Sequence, residues 1–113
     1  MWKIDENNKI TVTRGDTPIF QLNLTNADGT PYVPAQGDEI KFAIKKTASS
    51  AELWAVVDIP TDTLELRFAE STTRGLNFGA YVYEISLNNA DQDYHDTFIA
   101  NTPIVITEEL YNG

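Results

Sequence analysis

The chain has no cysteine, one histidine and one methionine, and no apolar run approaches the roughly 20 residues that span a bilayer. Without cysteine there is neither a disulfide framework nor a thiolate metal site. The N-terminal Met-Trp-Lys-Ile-Asp-Glu-Asn-Asn has neither the basic start nor the apolar core of a signal peptide. The expectation is a protein made and kept in the cytoplasm, or one that leaves by a route other than secretion. Basic residues are scarce too: 8 Lys and Arg face 17 Asp and Glu, a net charge of −9. The deficit is uneven, with 6 basic and 7 acidic groups in residues 1–56 and only 2 against 10 in residues 57–113. A surface this negative repels phosphate, so nucleic acid and anionic membrane are not expected partners.

What is present is enough for a core. At 113 residues with 42% apolar side chains, the chain fits one domain, 1–113, with a core over about residues 9–107. A domain of this size buries roughly two-thirds of the surface its unfolded chain exposes.

The strongest pattern is Gly79-Ala-Tyr-Val-Tyr-Glu-Ile-Ser-Leu87. Tyr81, Tyr83, Ile85 and Leu87 alternate with smaller or polar residues, the period-two signature of a half-buried strand. An aromatic opening such a strand after a glycine turn suits the corner tyrosine of immunoglobulin-type sandwiches. Similar alternation marks residues 9–13, 18–24 (Phe20, Leu22, Leu24), 39–45 (Ile40, Phe42, Ile44) and 63–68 (Leu64, Leu66, Phe68). Residues 52–59 read as a strand, with a short helix as the alternative. Residues 70–74 before Gly75 read as one helical turn closed by a left-handed glycine, with Leu76 and Phe78 plugging the sandwich beneath it. Residues 88–93 make a polar hairpin loop, and residues 97–107 are interrupted by a bulge or sheet switch near Asn101-Thr-Pro103. About seven strands at this spacing, with no long helical period, predict an all-β antiparallel sandwich of immunoglobulin-like type. The ends, 1–8 and 110–113, are expected to be loose or to dock on a neighbour.

Candidate chemistry is sparse. Arg14-Gly-Asp16 reads as a glycine-centred turn before it reads as an adhesion tripeptide, and Asn23-Leu-Thr25 matches a glycosylation acceptor within a strand. Asp91, Asp93 and Asp96, with Asn88 and Asn89, gather oxygens in one loop but lack the glycine and terminal glutamate of a calcium loop. His95 has Asp96 beside it in a strand, where neighbours point to opposite faces, so it is not expected to act in acid–base catalysis. No catalytic residue, cofactor or metal site is expected. Trp2, Trp54, Tyr32, Tyr94 and Tyr111 stand outside the clear inward positions, and such aromatics anchor interfaces or stack on sugars.

The order Ile10-Thr-Val-Thr-Arg-Gly-Asp-Thr17, Phe20-Gln-Leu-Asn-Leu24, Asp28-Gly-Thr-Pro31, Gly37-Asp-Glu-Ile-Lys-Phe42, Thr63-Leu-Glu-Leu-Arg-Phe68 and Gly79-Ala-Tyr-Val-Tyr-Glu-Ile85 resembles the N-terminal immunoglobulin-like domain of phage baseplate upper proteins and small prophage proteins of Gram-positive bacteria. The resemblance covers about residues 9–107 and implies a structural β-sandwich within a symmetric tail assembly. It carries no catalytic residue. Baseplate upper proteins continue into further domains, so this chain is expected to be a stand-alone tail accessory or an isolated domain.

The reading is therefore a non-enzymatic module of a virion, bound to other tail or baseplate proteins, with self-association into a homo-oligomer as the second kind of contact. The alternative is a carbohydrate-binding or adhesin module that uses Trp54, Tyr32 or Tyr94 as a sugar platform. Interface candidates are Trp2, Trp54, and the strands around Ile10 and Ile104 as the expected sheet edges. Lys41, Lys45 and Lys46 are expected to face the acidic half of a neighbour, an association that salt would weaken.

Overall fold

A computed structural model describes residues 2–26, 28–50 and 52–108. Eight strands and one short helix run in the order β1 (Trp2–Ile4), β2 (Ile10–Thr13), β3 (Ile19–Gln21), β4 (Glu39–Lys45), β5 (Leu53–Ile59), β6 (Glu65–Arg67), α1 (Glu70–Arg74), β7 (Gly79–Asn89) and β8 (Tyr94–Thr107). The all-β expectation holds. Six strands form one sheet in the order β1-β2-β8-β7-β4-β5, and β3 pairs with β6 in a second, two-stranded sheet. The large sheet is mixed rather than antiparallel throughout, because β2 lies parallel to β8.

The alternation read in the sequence is the inner face of the large sheet. Tyr81, Tyr83, Ile85 and Leu87 of β7 are buried with Ile40, Phe42 and Ile44 of β4, Ile10 and Val12 of β2, and Ile104 and Ile106 of β8. Phe20, Leu22, Leu24, Leu66 and Phe68 complete the same cluster from the side of the small sheet. Phe42 joins the layers, its ring 5.3 Å from that of Phe68 and 5.2 Å from that of Tyr83. Ring pairs at such spacing add to the area they bury.

Three local departures have physical causes. β8 carries two register shifts against β7, between Tyr83 and Ile85 and between Ile85 and Ser86. The first is the interruption expected near residue 101, where Asn101 takes a φ of 47°. The second inserts Phe98 next to Ile99, so that two consecutive residues pack against the core. Gly75 is not left-handed (φ −84°). The chain leaves α1 instead by a turn in which the Leu76 N–H donates to the Thr73 carbonyl at 2.9 Å. Leu76 is buried as expected, whereas Phe78 stays half-exposed beneath the Arg14 guanidinium, 4.4 Å from its ring centre.

Tyr81 is the aromatic that opens β7. Its hydroxyl donates to the Asn77 carbonyl at 2.8 Å, fastening the start of β7 to the turn before it. Tyr81→Phe removes that bond alone and should lower stability by about 1 kcal/mol. The loss should show as a lower urea midpoint at unchanged m, and an unchanged midpoint would mean the bond contributes nothing.

Candidate interaction edge

The strand order places the sheet edges elsewhere than the sequence reading did. β2 lies between β1 and β8, and β8 between β2 and β7, so Ile10 and Ile104 are interior and buried. The edges of the large sheet are β1 and β5. The expectation that residues 1–8 are loose is corrected for β1, whose Trp2 and Ile4 sit opposite Val12 and Ile10. Trp2 finds part of its cover within the chain, edge-on to Phe20 at 4.9 Å. Tyr111 and the expected loose end at 110–113 lie outside the described residues.

β5 is the longer edge, with seven residues against three for β1. Its sequence, Leu-Trp-Ala-Val-Val-Asp-Ile, contains no lysine, arginine or proline, the residues that commonly block unwanted strand pairing. Leu53, Trp54 and Val56 are 49%, 42% and 48% exposed, although all three are strongly apolar. Among the described residues, no backbone hydrogen bond outside the strand ladders involves residues 53–59. A bulge opposite the Ile44–Lys45 step frees Trp54 from the alternation, and its ring lies 5.8 Å from that of Tyr81. The sequence pattern alone could not show that bulge.

The three lysines have partners within the chain. Lys41 reaches Asp58 at 3.1 Å and Lys45 approaches Glu84 at 3.9 Å, both acids belonging to the acidic half of this same chain. Lys46 lies over the Tyr81 ring at 4.8 Å. The cross-strand pairing of β4 with β5 and β7 brings these partners together.

The aromatics form no common platform. Tyr32 is buried, with its hydroxyl donating to Asp38 Oδ2 at 2.5 Å. Trp54 adjoins the β7 end near Val82, whereas Tyr94 pairs with Asn89, about 23 Å further along that strand. Arg14-Gly-Asp16 is a turn built into the fold: the Gly15 N–H donates to Oγ1 of the buried Thr73 at 2.8 Å. Among the described residues, no group of three His, Asp or Glu is placed to hold a metal ion. A cleft of about 350 Å³ opens between the β1–β2 turn and the chain after β3, lined by Ile4, Phe20, Leu24, Tyr83 and Ile99 with Asp5 and Asn8 at its polar side.

Sequence reasoning missed a polar knot at the Asn89 end of β7. Asp38 accepts from the Tyr32 hydroxyl, from Asn89 Nδ2 at 2.8 Å and from the Ala35 N–H at 2.9 Å. Asn89, almost wholly buried, also donates to the Gln36 carbonyl at 3.1 Å, tying the β7–β8 hairpin to the turn before β4. Burial pushes the Asp38 carboxyl up, but these three donors outweigh it and hold it below the ordinary carboxylate range. Its ionised form therefore stabilises the fold fully above the unfolded carboxylate pKa and stops doing so as pH falls through the lowered value. Asp38→Ala should cost about 2 kcal/mol at neutral pH. Urea melts should show the gap from the parent closing as pH falls below about 4, and a gap independent of pH would refute this role.

No protein-family model matches the chain. A receptor-like serine/threonine-protein kinase of Arabidopsis thaliana, SD1-8, is 33% identical over 81 residues, taking in 66% of this chain and 10% of the kinase. The chain thus spans about a tenth of the length of that relative.

Proposed function

We propose that this chain is a non-enzymatic, immunoglobulin-like module that joins proteins through its β5 edge, as a component of a phage or prophage tail or baseplate. The single observation that carries the interaction reading is an apolar edge strand seven residues long that holds no lysine, arginine or proline. Backbone groups along such an edge supply affinity to an incoming strand, and exposed side chains supply selectivity. What supports the immunoglobulin-like reading is the strand order. With β3 as strand B and β6 as E, the sheet holding β5, β4, β7 and β8 corresponds to the C′, C, F and G strands of a variable-type domain. The Tyr81–Asn77 bond stands where the corner tyrosine of that fold does. The phage setting is supported by the turn and strand sequence of residues 9–107 and by an acidic surface compatible with assembly among proteins rather than on nucleic acid.

Tail particles purified from an induced lysogen that carries the gene test the reading. The chain should be present in a fixed ratio to the other tail proteins, and Val56→Lys should be folded yet lost from the particles. Particles without the native chain would overturn the tail assignment. Unchanged incorporation of Val56→Lys would overturn the role of β5.

A further inference from the structure

We infer that the β5 edge takes a second copy of this chain, pairing antiparallel with its own counterpart about a two-fold axis through Val56. The inference rests on β5 being an interaction edge and adds its occupant. An isologous contact requires a self-complementary surface, and β5 supplies one. With Val56 opposite Val56 of the second copy, Ala55 falls opposite Val57, while the bulge at Trp54 ends the regular ladder on that side. Ala55, Val57 and Ile59 lie across from the core residues Ile44, Phe42 and Ile40 of β4, so both copies would extend their apolar faces on the same side. Pro60, which has no N–H to donate, ends the pairing one residue beyond Ile59.

Charge favours this edge over the rest of the surface. Self-association must bring together two chains of net charge −9. The β4–β5 hairpin, residues 39–59, is neutral by itself, with Lys41, Lys45 and Lys46 against Glu39, Glu52 and Asp58. The one charge inside β5, Asp58, is already matched by Lys41 at 3.1 Å. Copies meeting at β5 therefore approach through a part of each molecule with no net charge. Added salt screens that residual repulsion, so it strengthens the dimer, the opposite of an association held by lysines. Edge pairing along part of a seven-residue strand is a small contact, so the dimer forms and dissociates with concentration.

The test uses the full chain, which has no cysteine of its own, so one introduced thiol is the only one present. In this register the two Val56 Cα atoms stand about 4.5–5.5 Å apart, within disulfide reach. The two Asp58 Cα atoms are offset by four residues, about 13 Å, and out of reach. Val56→Cys should therefore oxidise to a covalent dimer while Asp58→Cys stays a monomer. Light scattering of the native chain should show the mass rising from 12.6 kDa towards twice that value between micromolar and millimolar concentration, more readily at high salt. Val56→Lys should abolish the rise. Equal cross-linking of both cysteine variants, or of neither, overturns the proposal, as does a native chain that stays monomeric throughout. Should the dimer fail while the chain remains in tail particles through β5, the interaction edge stands and its occupant is another protein. A selective Val56 dimer from a chain absent from particles would instead leave the pairing intact and remove the tail assignment.

Discussion

Tyr83 must bury a phenol ring at the centre of the large sheet and still give its hydroxyl an acceptor. That double demand ties distant parts of the molecule together. The ring packs on Phe42 at 5.2 Å, while the hydroxyl passes beneath β8 to the Asn8 carbonyl at 2.5 Å. Burial, helped by the charge of Asp5, pushes the phenol up to about 12, so it stays a donor through the ordinary pH range. Asn8 adopts a φ of 65°, a conformation asparagine tolerates better than most residues, and so presents its carbonyl inward. A buried hydroxyl left without this acceptor would cost more than the bond contributes, so the β1–β2 turn is held where Tyr83 needs it.

The two edges consequently differ in kind. β1 is short, paired to β2, held beside the Tyr83–Asn8 bond and partly covered where Trp2 meets Phe20. β5 belongs to a hairpin whose inner residues are anchored by β4, but its outer rim carries Val56 and Leu53 without a lysine, proline or bulge at its centre to turn a partner strand away. An apolar rim beside a hairpin of no net charge sets this edge apart on a chain otherwise strongly acidic.

Much of this fold was legible because alternation is local. Residues 39–45 and 79–87 announced β4 and β7 with their inward faces correct, since a half-buried strand writes its burial directly into every second side chain. What alternation cannot encode is which strand lies beside which. Ile10 and Ile104 looked like edge residues because they begin and end the patterned part of the chain, but β1 adds a strand outside them. Bulges were half legible: Asn101-Thr-Pro103 signalled one, whereas those at Phe98 and Trp54 depend on cross-strand register and left no local mark. Tyr32 read as a loose surface aromatic because Asp38 and Asn89, the groups that make its burial tolerable, are respectively in the next turn and 57 residues away along the chain, as their numbering shows.

The lysines illustrate the same limit in energetic terms. Three of the eight basic residues cluster within residues 41–46, and a cluster of one sign in an acidic protein reads as a patch for an acidic partner. The sheet brings that acidic partner from the chain itself, with Asp58 from β5 and Glu84 from β7. The Lys41–Asp58 pair is exposed on both sides, and an exposed pair contributes at most about 1 kcal/mol to stability. Its larger effect is on the edge strand. Asp58 carries the only charge inside β5, and unmatched it would repel any copy or acidic protein approaching that rim. With Lys41 beside it, that charge is matched locally, so under the proposed reading the lysine cluster serves an apolar contact at β5 rather than an electrostatic one.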